Sequence, residues 1–203
     1  MYAISRLLSS LLSPLLMPSY GIFLTLWVSV LYYLPTGTRL VVLLVIFGIT
    51  CLLPMTVIAI LHNFKLIEDK SLINKNERWL PYIAAILCYI GSALYLNNIH
   101  MPQWAVAFIW GGVAACVVTT IVNFRWKISA HMTGIGGLLA FLFRLRADGL
   151  GAFELLWLIY ILIILAGALG TARMCLGRHT LWQVLAGFAN GFVCVTLASL
   201  LLG

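Results

Sequence analysis

Apolar residues dominate the chain in runs of about twenty, and short polar segments separate these runs. A run of this length is what an α-helix needs to cross the hydrocarbon core of a membrane. The pattern therefore predicts an all-α fold, a polytopic membrane bundle of six or seven transmembrane helices. No shift in composition divides the chain, so we expect a single membrane domain over residues 1–203.

The first twenty residues contain one arginine and two prolines and predict an in-plane or partly embedded helix ahead of the first span. Pro54 is expected to kink the second span, because proline lacks the N–H that helix continuation requires. Apolar segments are expected at about residues 20–34, 40–62, 79–97, 103–123, 128–146, 153–172 and 180–202.

Composition supports a membrane protein and narrows its partners. Hydrophobic residues make up 64% of the chain and charged residues only 8%, whereas about a quarter of a soluble domain is charged. The formal net charge of +7 is clustered, which favours anionic headgroups or phosphate as neighbours. Nucleic acid is not expected as a partner, because no basic face with interleaved aromatic residues occurs.

Three polar fragments interrupt the apolar pattern, within residues 63–78, 128–134 and 171–183. Two predicted spans separate each fragment from the next, so all three should lie on one membrane face. Charge at membrane depth is costly and usually serves a function. We therefore expect the three fragments to form one composite site.

The first fragment supplies cations. Arg78 offers bidentate donors to phosphate oxygens, and a lysine adds a point charge. Lys75 lies three residues before Arg78, so one helical turn would put both on the same face. Lys70 is the alternative lysine, and the sequence leaves the choice between the two open.

The second and third fragments supply a helix start and two histidines. Ser129 precedes a predicted helix, where a hydroxyl and the following backbone N–H groups make an anion site, and His131 follows it. In the third fragment Arg173 lies six residues before His179. Gln183 lies one helical turn after His179, and its carbonyl can accept a hydrogen bond from the ring.

Together these fragments resemble the three signatures of the type 2 phosphatidic acid phosphatase and vanadium haloperoxidase superfamily, over about residues 60–191. The superfamily has Pro-Ser-Gly-His where this chain has Ile-Ser-Ala-His at residues 128–131. Its first signature has a lysine seven residues before an Arg-Pro pair, a position where this chain has Ser71. The superfamily also has aspartate at the position of Gln183, so the neutral amide is the main departure.

The resemblance implies a membrane phosphatase that hydrolyses a lipid phosphomonoester or an isoprenyl diphosphate. His179 would be the nucleophile that forms a phosphohistidine, His131 the general acid, and Gln183 the residue that orients His179. Neither a metal nor another cofactor is implied, because positioning and charge carry phosphoryl transfer of this kind. The implied phosphate ligands are Lys75, Arg78, Ser129 and Arg173.

The missing aspartate leaves a second hypothesis open: a homologue that binds anionic lipid headgroups without turnover. In either case the partners are lipid phosphates and membrane lipids. The resemblance implies an integral protein of the bacterial inner membrane. The face that carries the site stays open, because the excess of basic residues favours the cytoplasm, whereas the superfamily's bacterial lipid phosphatases usually face outwards.

Overall fold

The computed structural model describes residues 2–66 and 79–203. Across these residues the fold is helical, and the extended backbone is limited to one isolated bridge between Ser29 and Gly151. The predicted all-α class is confirmed. The helices are α1 (Tyr2–Leu11), α2 (Met17–Trp27), α3 (Thr36–Phe47), α4 (Leu53–Asn63), α5 (Trp79–Asn98), α6 (Gln103–Asn123), α7 (Ala130–Ala147), α8 (Leu156–Cys175) and α9 (Leu181–Leu202).

Five helices in the described residues are long and apolar enough to cross a membrane. They indicate an integral membrane protein, but the predicted count of six or seven is not confirmed. Helix α7 is not among the five, because His131, Arg144 and Arg146 lower its mean hydropathy. The five are the continuous helix Thr36–Asn63 together with α5, α6, α8 and α9.

The predicted first span at about residues 20–34 is wrong in extent. Helix α2 has 11 residues, or about 16 Å of helix, which is much less than the hydrocarbon thickness. It ends at Trp27 because the chain then pairs with the connection between α7 and α8. The N–H of Val30 donates to the carbonyl of Leu150 at 2.8 Å, and Ser29 caps the short 3₁₀ turn that follows.

The irregularity expected at Pro54 lies just before the proline. Residues Gly48–Leu52 form a π-helical turn between α3 and α4, so the two helices make one continuous span. Proline has no N–H and its ring clashes with the carbonyl four residues earlier. A wider turn at that point accommodates the ring without ending the helix.

Helix α7 lies at the centre of the bundle and packs against α9 through small residues. A Cβ at Gly191 would collide with the carbonyl oxygen of Thr133, and one at Gly187 would lie 2.5 Å from the carbonyl oxygen of Ser129. The two backbones therefore approach as closely as glycine allows, which is typical of helix pairs in membranes. This contact fixes the starts of α7 and α9 beside each other.

Exposed aromatic side chains mark both ends of the bundle. At the end where α7 and α9 begin, Phe124 and Trp182 are 67% and 72% exposed. At the opposite end, Tyr33 and Trp157 are 71% and 72% exposed. Aromatic rings concentrate at the two membrane–water boundaries, so the starts of α7 and α9 lie at one boundary.

Candidate active site

Ser129 caps the start of α7. Its backbone is extended, and its hydroxyl accepts from the N–H of Met132 at 3.5 Å. The carbonyl of Ser129 accepts the N–H of Thr133 at 2.9 Å. Both oxygens of Ser129 therefore accept hydrogen bonds from the first turn of α7. The side chain is fully buried, and the first-turn N–H groups face the helix start as an anion site requires.

The start of α9 packs directly onto this cap. The N–H of Ser129 donates to the carbonyl of Gln183 at 3.2 Å. Gly187, one turn further along α9, lies against the backbone of Ser129 with no room for a side chain. The second and third polar fragments therefore meet at the same end of the bundle, although more than forty residues separate them.

A tight turn after α8 carries Arg173 and His179. The N–H of Arg178 donates to the carbonyl of Arg173 at 3.1 Å, and the N–H of Gly177 donates to the carbonyl of Met174 at 2.9 Å. This pair of bonds is the Schellman motif that ends many helices. Gly177 has φ of 64°, which glycine adopts without strain. The turn places a half-buried arginine and a histidine at the end of the bundle where α9 begins.

His179 is held by Gln183. The side chain of His179 is 8% exposed, and its Nδ1 lies 3.2 Å from Oε1 of Gln183. The same oxygen accepts the N–H of Thr180 at 3.2 Å as part of a capping box at the start of α9. An amide oxygen only accepts, so Nδ1 carries the hydrogen and the lone pair of the neutral ring lies on Nε2.

His131 is held by the N-terminal helix. Its Nε2 lies 3.1 Å from the backbone carbonyl oxygen of Ser9 in α1. A carbonyl only accepts, so Nε2 is the protonated nitrogen in this contact. The sequence predicted α1 as a membrane-surface helix, but its pattern gave no signal that it contacts His131.

Within the described residues, the end of the bundle where α7 and α9 begin is basic. Arg125 is exposed, whereas Lys127 and Arg178 are half-buried near the starts of α7 and α9. The two acidic residues within residues 2–66 and 79–203 are Asp148 and Glu154, and both lie at the other end of α7. The local charge therefore favours a phosphate or an anionic headgroup.

Lys75, Arg78 and the alternative Lys70 lie outside the described residues. The prediction that they join the site stays a prediction. The structure brings Ser129 and Gln183 into direct contact and Gln183 into contact with His179.

The comparisons with known proteins bear on the same part of the chain. Residues 124–203 match the family model of the PAP2 superfamily. The predicted resemblance to the type 2 phosphatidic acid phosphatase superfamily is confirmed over these residues. The matched segment contains the starts of α7 and α9, and members of this superfamily are generally phosphatases. No curated protein and no solved structure matches the chain.

Proposed function

We propose that this chain is a membrane lipid phosphatase that hydrolyses a lipid phosphomonoester or an isoprenyl diphosphate through a phosphohistidine intermediate. The observation that carries the proposal is the contact between His179 Nδ1 and Gln183 Oε1, next to the capped start of α7. This contact assigns the lone pair to Nε2, the atom that attacks phosphorus. The PAP2 match over residues 124–203 supports the reaction class.

In the first step, Nε2 of His179 forms a bond to phosphorus, and the bond from phosphorus to the leaving oxygen breaks. His131, as the imidazolium, keeps its Nε2–H on the Ser9 carbonyl and gives the proton on Nδ1 to that oxygen, which leaves on the lipid as an alcohol or a monophosphate. Cations and N–H donors stabilise the charge on the equatorial phosphoryl oxygens. These donors are Lys75, Arg78, Arg173, Ser129 and the first-turn N–H groups of α7.

In the second step, water attacks the phosphohistidine. The new bond joins the water oxygen to phosphorus, the phosphorus–nitrogen bond breaks, and His131 takes the proton that the water releases. Inorganic phosphate leaves, and both histidines return to their starting states. His131 thus alternates between acid and base, as microscopic reversibility requires.

An apolar cavity next to the start of α7 supports a substrate with a hydrocarbon chain. The cavity has a volume of about 100 Å³ and is lined by Ala130 and Thr133 of α7 together with Pro14, Tyr89 and Phe108. A cavity of about 150 Å³ is enough to hold benzene, so this one fits a short apolar group. The cavity contacts Ala130, the residue before His131.

Phosphate release from a panel of lipids tests the proposal. The purified protein should release inorganic phosphate from at least one of phosphatidate, lysophosphatidate, polyprenyl phosphate and polyprenyl diphosphate. Water-soluble phosphomonoesters should react more slowly, because they bury no apolar surface. No release from any lipid of the panel would refute the proposed hydrolysis.

The neutral partner of His179 favours a second candidate function, the binding of anionic lipid without turnover. Gln183 supplies an acceptor oxygen but no negative charge to stabilise an imidazolium. A binding protein would retain anionic lipid on vesicles while releasing no phosphate. Vesicle binding and phosphate release, measured on the same preparation, separate the two functions.

Exchange of Gln183 for a carboxylate should raise the rate of a working phosphatase by about 10-fold, because the charge stabilises the imidazolium that forms during the reaction. Gln183→Glu keeps the reach needed for both His179 Nδ1 and the N–H of Thr180. The side chain in Gln183→Asp is one methylene shorter, so this variant should show a smaller increase in the hydrolysis rate. Gln183→Leu, which keeps a similar size but loses the acceptor, should slow hydrolysis. If both carboxylates slow a folded enzyme, Gln183 is not a weakened orienting group.

We place the protein in the bacterial inner membrane, and Cys175 offers a natural probe of its orientation. This free thiol is exposed at the end of α8, next to the proposed site. A membrane-impermeant maleimide added to intact cells should label Cys175 when the site faces outwards. Labelling only after lysis means that the site faces the cytoplasm. Cys175→Ser is the matched control, because it reports any labelling at the two buried thiols, Cys51 and Cys88, and the two half-buried ones, Cys116 and Cys194.

A further inference from the structure

Helix α1 turns two serines towards the protein. Ser5 and Ser9 are 8% and 7% exposed, whereas Ile4, Leu7 and Leu11 are 71%, 61% and 54% exposed. A soluble amphipathic helix has the opposite arrangement, with its apolar face inwards. Arg6 and Ser10 are exposed beside these apolar residues, so the outer surface of α1 suits the membrane–water boundary, and the two serines are directed at the bundle.

The two oxygens of Ser9 differ in their contacts. The carbonyl oxygen accepts from His131 Nε2 at 3.1 Å. The hydroxyl oxygen is buried, and no atom of residues 2–66 and 79–203 lies within hydrogen-bond distance of it. Within one residue these oxygens are at most about 4.5 Å apart, so the hydroxyl lies within about 8 Å of His131 Nε2.

Within the described residues, buried helical hydroxyls without a hydrogen-bond partner occur at two positions, Ser9 in α1 and Ser199 in α9. The hydroxyls of four other helical residues instead donate to the carbonyl four residues earlier at 2.8 to 2.9 Å: Thr25, Thr50, Ser92 and Thr171. The Ser9 hydroxyl could donate in the same way to the carbonyl of Ser5 within α1, but it does not. A buried hydroxyl without a partner costs stability, and such groups often serve a ligand.

We propose that the Ser9 hydroxyl is a further ligand of the substrate phosphate and donates a hydrogen bond to a phosphoryl oxygen. This inference rests on the proposed function, because the phosphate is the one that His179 attacks. Helix α1 then contributes to the site twice: the Ser9 carbonyl orients His131, and the Ser9 hydroxyl binds the oxyanion. The chemistry recognised is a phosphate oxyanion, whether on a lipid headgroup or as inorganic phosphate.

Ser9→Ala, with Ser5→Ala as the matched control, tests the assignment. Ser5 lies one turn earlier on the same buried face of α1. Ser9→Ala should lower kcat/KM for the lipid substrate by about 10- to 100-fold and weaken inorganic phosphate binding by a similar factor, as expected for a hydrogen bond to a charged group. Its thermal midpoint should stay unchanged or rise, because an unpaired buried hydroxyl has been removed. Ser5→Ala should leave both quantities near the wild-type values.

The readouts separate this inference from the proposed function. Wild-type hydrolysis with equal kinetics and phosphate binding in the two variants would overturn the role of Ser9 and leave the phosphatase standing. If the wild type hydrolyses no lipid, the proposed function fails, and the role of Ser9 is then decided by calorimetric binding of inorganic phosphate. Weaker phosphate binding by Ser9→Ala than by the wild type supports the ligand role. Equal binding by the two proteins, or no binding by either, overturns it. The ligand role of Ser9 is also overturned if Ser9→Ala slows lipid hydrolysis but binds inorganic phosphate as the wild type does. It is likewise overturned if the losses only match the loss of folded protein.

Discussion

His179→Ala is expected to abolish phosphate release from the lipid substrate, with a loss of at least about 1,000-fold in kcat. The substitution removes the atom that forms the phosphohistidine, so the covalent route is closed. The protein should stay folded and membrane-inserted. His179 lies in the turn between α8 and α9, and Gln183, which contacts its ring, still caps α9 through Thr180. Phosphate release per mole of folded protein is the measurement.

His100→Ala is the control for a general effect of losing a histidine. His100 lies in the turn after α5, at the end of the bundle away from the site. Its loss should leave the rate within about 2-fold of the wild type, as is usual for surface substitutions. A wild-type rate in His179→Ala would mean that His179 is structural and that the proposed chemistry is wrong.

Gly191→Ala is expected to cause the largest loss of stability. Its Cβ would collide with the carbonyl oxygen of Thr133 and lie 2.9 Å from the N–H nitrogen of Gly137. Both partners are backbone atoms, so α7 and α9 must separate rather than adjust a side chain. We expect a cost of about 3 kcal/mol or more and a fall of about 10 °C in the thermal midpoint.

Gly167→Ala is the matched control on α8. A Cβ at Gly167 would meet nothing within 4 Å, so the substitution should be neutral or gain up to about 1 kcal/mol from helix propensity. Thermal unfolding in detergent compares the two variants. Equal midpoints for the two would contradict the close packing of α7 on α9. The loss in Gly191→Ala should also reduce activity, because the same interface joins Ser129 to Gln183.

Apolar run length predicted much of the helical pattern. The prediction of a span at residues 103–123 agrees with α6 at Gln103–Asn123, because loop residues with turn-forming chemistry flank that run. The span at about residues 20–34 failed, because hydropathy cannot detect the pairing of Val30 with Leu150. Hydropathy also does not show which helices pack side by side in the bundle. The central position of α7 was therefore visible only in the structure.

The site was predictable to the extent that it depends on local spacing. The four-residue separation of His179 and Gln183 indicated a possible contact, and the two side chains do lie 3.2 Å apart. The contact of His131 with Ser9 spans 122 residues and depends on how α1 docks, which no local pattern encodes.

The most direct test of the account is an experimental structure of the protein with orthovanadate bound, since vanadate mimics the phosphoryl group in transfer. We expect vanadium within bonding distance of His179 Nε2, with its oxygens contacting Arg173, the start of α7 and the Ser9 hydroxyl. Arg78 and either Lys75 or Lys70 should complete the shell. Vanadate bound elsewhere, or His179 Nε2 directed away from it, would contradict the central claim that these fragments form one phosphoryl-transfer site.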